Sequence, residues 1–158
     1  MKLHPEWKQA VQDAVGRFSY GDLIPMDWLM DAFGVEPASE SMDALTYQKN
    51  QFRFLAALEA FKSALLDDHK MALQNVRGSG YRIVQPGEQT AWAEEEGIEE
   101  IRRGIRRMAG RLSNVKRAAL TDAEQRENLD AIARLSMLKG MVRDYPRLSA
   151  PEEAEDEA

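Results

Sequence analysis

The stretch Leu73-Gln74-Asn75-Val76-Arg77-Gly78-Ser79-Gly80-Tyr81-Arg82-Ile83-Val84 decides how this chain reads. Two short runs of strand-forming residues flank Arg77-Gly78-Ser79-Gly80, and the glycines supply the positive φ angles that a tight turn demands. The spacing predicts a two-stranded β-hairpin. Immediately upstream, Gln48 to Leu66 carries helical periodicity. At about 100° per residue, Phe54, Leu55, Leu58, Phe61, Leu65 and Leu66 share one arc, the expected core face. The opposite arc holds Lys49, Phe52, Arg53, Ala56, Ala60 and Ser63. Asp67 to Lys70 breaks the pattern before the hairpin.

Toward the N-terminus, Pro5 suits a first helical position, and Trp7, Ala10, Val11, Ala14 and Phe18 recur at helical spacing, so a helix is expected from Pro5 to about Val15. Residues 16–22 read as a connection. Ile24-Pro25-Met26-Asp27-Trp28-Leu29-Met30 opens a short second helix that Phe33-Gly34 ends. Residues 36–42, with Pro37 and two serines, read as a loop.

Toward the C-terminus, Pro86-Gly87 closes the hairpin and marks a domain boundary. A long helix is expected from Thr90 to Arg117. Its Ile98, Ile101, Ile105, Met108, Leu112 and Val115 recur at heptad spacing, a stripe that a second helix of the chain or a dimer mate could satisfy. Gly97, Gly104 and Gly110 weaken this helix or admit a close neighbour. Thr121-Asp122-Ala123-Glu124 has the form of a capping box. It starts a further helix running to about Tyr145, with Leu129, Ile132, Leu135, Leu138 and Val142 inward and Pro146 as its stop. Two helices of similar length joined by a few residues predict an antiparallel helical hairpin.

The helix end and the hairpin with Val76, Arg77, Gly78, Gly80, Tyr81 and Arg82 resemble the end of the OmpR/PhoB-type winged-helix effector domain, which has a basic recognition helix and a wing that reads V-R-G-x-G-Y-R. The resemblance spans Glu59 to Val84. It implies a winged-helix fold that contacts DNA through its last helix and wing. The chain departs from that family in two respects. Nothing before Phe18 reads as the opening sheet, and Glu59, Ala60 and Ser63 stand where the family's recognition helix is basic, only Lys62 keeping the charge. The expected fold class is therefore mainly α. It comprises a winged-helix-like domain at 1–85 with a C-terminal two-stranded hairpin, an antiparallel helical hairpin at 86–150 and a disordered acidic tail at 151–158.

Composition bounds the functions. Of 158 residues none is cysteine, which excludes disulfides, thiolate metal sites and a cysteine nucleophile. His4 and His69 stand in no metal-ligand spacing, and neither a metal nor a cofactor is expected. The N-terminus lacks the apolar core of a signal peptide, and no apolar run approaches the roughly 20 residues a bilayer requires, so a cytoplasmic chain with no membrane partner is expected. Net charge is −6, with five acidic residues in 151–158. That balance argues against indiscriminate nucleic-acid binding by the whole chain. The sequence holds no phosphate-cradling glycine loop followed by lysine and no nucleophile elbow, so no catalytic residue is assigned.

Two sets of residues are candidate contacts. Lys49, Gln51 and Arg53 near the start of the third helix, with Arg77, Ser79 and Arg82 of the wing, have the donors that reach base edges and phosphates. Arg102, Arg103, Arg106, Arg107, Arg111, Lys116 and Arg117 form a basic helix whose i, i+4 pairs repel in isolation. Nucleic acid, an acidic partner surface or the chain's own acidic tail would offset that repulsion. The leading expectation is a small DNA-binding transcription regulator. The second is a protein-binding adaptor or inhibitor, in a layout that resembles accessory proteins of phages and mobile elements. A homodimer through Ile98, Ile101, Ile105, Met108 and Leu112 is compatible with either.

Overall fold

The computed structural model describes residues 5–145. Among them are five α-helices and one three-stranded antiparallel sheet, so the chain is mainly helical. The elements run α1 (Glu6–Arg17), β1 (Leu23–Pro25), α2 (Met26–Ala32), α3 (Ala44–His69), β2 (Leu73–Val76), β3 (Gly80–Ile83), α4 (Gln89–Ser113) and α5 (Asp122–Arg143). Short 3-10 turns at Pro86–Glu88 and Arg117–Ala119 precede α4 and α5. The chain divides into two compact units that meet between Gln89 and Thr90. Pro146, expected to stop the last helix, and the acidic segment 151–158 lie outside the described residues.

In the first unit, α1 buries Ala10, Val11 and Ala14, with Trp7 and Phe18 partly buried beside them. The small residues let α1 lie close against α3, whose Leu58, Phe61 and Leu65 are buried. Phe33, at the end of α2, meets Phe61 edge-on at 5.4 Å and Phe54 at a tilt at 5.7 Å between ring centroids, and Trp28 meets Phe18 edge-on at 5.2 Å. Gly34, with φ +62°, ends α2: its N–H bonds to Asp31 and that of Val35 to Met30, the paired closure that a left-handed glycine permits.

The sheet differs from the expected two strands. Strand order is β1-β3-β2, with Ile24 opposite Tyr81 and Leu73 opposite Ile83. Ile24, Leu73, Tyr81 and Ile83 cover the core from one side. Ile24 and Pro25 read as the opening of the second helix, because three residues ending in proline carry no period of their own. They are a strand only because β3 supplies the partner. The helix that follows starts two residues later than Ile24, at Met26.

Helix α3 also exceeds its expected span. Asp43 caps it, the side chain accepting the Thr46 N–H at 2.6 Å. Of the expected core arc, Leu55 is 53% exposed and Leu66 42%, so that face is narrower than the apolar pattern suggests.

The second unit is a helical hairpin. Ile105 of α4 packs with Leu135 and Val142 of α5, and Ile98, Ala109 and Leu112 adjoin them. Tyr145 Oη donates to Glu94 at 2.7 Å near the start of α4, while Asn128 Nδ2 reaches the Leu112 carbonyl at 3.5 Å near its end. Contacts at both ends fix the helices antiparallel. The capping box is formed: Thr121 Oγ1 accepts the Glu124 N–H, and the Glu124 carboxylate accepts the Thr121 N–H at 2.8 Å. Two features of the expected pattern are corrected. Helix α4 ends at Ser113, leaving Lys116 and Arg117 in the connection. And Ile101, Met108, Leu129 and Leu138, expected inward, are 45%, 44%, 58% and 44% exposed, because two helices cover only one line of each other.

Candidate functional site

The β2–β3 turn is built by its glycines. Ser79 N–H bonds to the Val76 carbonyl at 2.9 Å, and Gly78 holds φ +80° at the third position of that turn. Gly80, at φ +147°, is buried where β1 passes. The Ser79 carbonyl accepts the Met26 N–H at 3.1 Å, which ties the turn to the start of α2. Arg77 and the Ser79 side chain are left exposed at the tip. With no Cβ at Gly78 and open space around it, the peptide there is open to close approach.

Arg82 is placed differently. It stands mid-strand in β3 on the outer face of the sheet, where its Nη2 donates to Gln74 Oε1 at 3.1 Å and to Glu88 Oε2 at 2.9 Å. The guanidinium joins β2, β3 and the turn before α4. Arg53 is similarly occupied, its Nη2 donating to Glu6 of α1 at 2.9 Å. That carboxylate lies over Gly34, where a Cβ would collide with it. Two of the six wing and helix candidates are thus held in internal ion pairs. Lys49 and Gln51 remain exposed on the first turns of α3, and Arg77 and Ser79 at the β2–β3 turn.

The rest of the outward face of α3 is poor in donors. Lys62 sits 5.8 Å above the Tyr81 ring and pairs with Glu59 at 3.4 Å. Beyond it the face shows Ala56, Ala60 and Ser63. An apolar row runs beside these: Leu45 is 77% exposed and Phe52 65%, with Leu55 adjoining. Their spacing of seven and three residues was visible in the sequence. Leu45 lies before the expected start of the helix at Gln48, and Leu55 falls on the expected core arc, so the pattern alone does not join the three into one row.

The arginines of α4 belong to the second unit. Arg102 Nη1 donates to Glu99 at 2.7 Å. The Glu99 carboxyl is held below its usual range first by this bond and then by the charges of Arg102, Arg106 and Arg103. Arg103, Arg106, Arg107 and Arg111 have no ion pair within 4.0 Å among the described residues. The described residues hold no cluster of histidine or carboxylate side chains able to bind a metal ion, and no helix among them is long and apolar enough to cross a membrane.

No protein-family model, curated protein or solved structure matches the chain.

Proposed function

We propose that the first unit is a winged-helix module and that the protein is a small DNA-binding regulator that contacts duplex DNA mainly through its wing. The observation that carries the reading is the element order α-β-α-α-β-β with sheet order β1-β3-β2, ending in a glycine turn that exposes Arg77 and Ser79. In a module of that order the last helix and the wing are the elements offered to DNA. Lys49 and Gln51 add donors at the start of α3, whereas Arg53 and Arg82 hold the module together. With few donors along the remainder of α3, affinity would come from phosphate contacts and sequence discrimination would be modest.

The test is binding of the full chain to random-sequence duplex DNA over a salt series. Salt-sensitive binding is expected, and Arg77→Ala should weaken it on all sequences and reduce the slope by about one phosphate contact. Absence of binding at low salt overturns the reading.

A second reading is favoured by the row Leu45, Phe52 and Leu55. Exposed large apolar side chains on a helix face suit a protein partner better than a phosphate backbone. In this reading the module is the rigid surface of an adaptor or inhibitor. It predicts that Phe52→Ser abolishes partner binding while Arg77→Ala leaves it intact.

A further inference from the structure

Helix α4 divides by charge. Glu94, Glu95, Glu96, Glu99 and Glu100 fill its first half with no cation among them, and Arg102, Arg103, Arg106, Arg107 and Arg111 fill its second half with no acid. This order suits the helix dipole. It also leaves arginines at i, i+4, which repel. Helix α5 brings Asp122, Glu124, Glu127 and Asp130, with Arg126 among them, alongside. Yet Arg103, Arg106, Arg107 and Arg111 make no ion pair within 4.0 Å among the described residues.

The apolar side chains of the hairpin are divided too. Ile98, Ile105 and Leu112 point at α5. Ile101 and Met108 fall to one side of that line, and Leu138 and Met141 fall to the same side of the Leu135–Val142 line. Between antiparallel helices those two sides form one face. On it Ile101, Met108 and Leu138 are nearly half exposed and Met141 is 72% exposed. Gly97 and Gly104 adjoin this row, and apart from the adjoining residues and backbone of their own helix nothing lies within 4 Å of where their Cβ atoms would be.

We propose that this face docks a second copy of the chain, with the two α4 helices crossing antiparallel near Gly104 to complete a four-helix bundle. The charge order singles out that occupant. A helix that is acidic and then basic is complementary to itself when reversed, so two copies place Arg107 and Arg111 of each beside Glu100 and Glu96 of the other. The contact is isologous and closes at two subunits. Of the heptad stripe Ile98, Ile101, Ile105, Met108 and Leu112 it uses Ile101 and Met108, since Ile98, Ile105 and Leu112 are already used within the hairpin. The inference does not rest on the DNA-binding reading.

The test is sedimentation equilibrium of the full chain together with two double variants, Glu96→Arg/Glu100→Arg and Arg107→Glu/Arg111→Glu. The wild type is expected to be a dimer. Each variant alone should be a monomer of unchanged helicity, because its copies oppose like charges. An equimolar mixture of the two should regain the dimer, because every pair is again opposite in sign. A monomeric wild type, a variant that dimerises alone, or a mixture that stays monomeric overturns the proposal. Location is checked separately. The chain has no cysteine, so Gly104→Cys should form an intermolecular disulfide on mild oxidation, which needs Cα atoms within about 7 Å. A wild-type dimer whose Gly104→Cys variant does not cross-link is built on another face, and that also overturns the proposal. Arginines that grip DNA or an acidic protein instead would leave the wild type monomeric.

Discussion

Gly80 of β3 lies against the backbone of Ile24 in β1 so closely that a Cβ at position 80 would overlap the Ile24 carbonyl oxygen and stand 3.0 Å from the Met26 nitrogen. Both atoms are backbone, so neither can rotate away. The φ of +147° adds strain for any side chain. Gly80→Ala is therefore expected to cost about 3 kcal/mol or more, since it combines a forbidden backbone with a clash. Gly78→Ala, at φ +80° but in open space, should cost only about 1–2 kcal/mol. Urea unfolding of the two variants checks the order. Equal losses would mean that β1 is not held against β3.

Lys70 closes α3 in the left-handed region at φ 58°, the one non-glycine residue with positive φ among the described residues. Its N–H still caps the helix at Leu65 and Leu66, and its carbonyl accepts from Gln89 Nε2 at 2.8 Å and Tyr20 Oη at 3.3 Å. All of these are backbone groups that glycine also has, while the Cβ is what the left-handed region penalises. Lys70→Gly should raise stability by about 0.5–1 kcal/mol. A loss in thermal unfolding would mean that the Lys70 side chain contributes more than its backbone conformation costs.

The capping box gives α5 a pH dependence of definite sign. The Glu124 carboxyl is held below its ordinary value first by the Thr121 N–H and then by the Thr121 hydroxyl. A carboxyl whose folded value is depressed contributes stability above its unfolded value and loses it as pH falls through the folded one. Replacing Glu124 by Gln should thus lower stability at neutral pH, and the difference from wild type should close below the carboxylate range. Asp43, held low by the Thr46 N–H, acts in the same direction at the start of α3. Thr121→Ala should cost about 1 kcal/mol at neutral pH. Thermal unfolding of wild type and Glu124→Gln from neutral to acidic pH checks the sign, and a constant difference would remove the charge from the cap.

What the sequence disclosed depended on whether the signal was local. The β2–β3 turn, the glycine end of α2 and the Thr121–Glu124 cap were legible because each needs particular residues at fixed offsets. Strand β1 was not, because its pairing with Arg82, Tyr81 and Gly80 is a property of residues far along the chain. The apolar arcs of α3 and α4 overstated burial. A helical period identifies a face, but only the neighbours decide how wide a strip of it is covered, and here Leu55, Leu66, Ile101 and Met108 fall outside the strip. Among candidate contacts, the sequence discloses the type of a side chain but not its partner. Arg53 and Arg82 qualify by type and are claimed by Glu6 and Glu88, acids 47 and 6 residues away.

The two faces of α3 can be separated by paired truncations. Phe61 is fully buried between Phe33 and Trp28, so Phe61→Ala should cost about 3–5 kcal/mol. Phe52 is 65% exposed on the opposite face, so Phe52→Ala should change stability by less than about 0.5 kcal/mol. If Phe52→Ala proves costly, the outward face is covered in the folded protein and is no free surface. If it is neutral, the face is available, and the salt series divides the two functional readings. Lys49→Ala lowering the slope of DNA binding by about one, with Phe52→Ser leaving it unchanged, places phosphate at the start of α3. Lys49→Ala without effect confines any DNA contact to Arg77 and the wing, and leaves the Leu45–Phe52–Leu55 row to a protein partner.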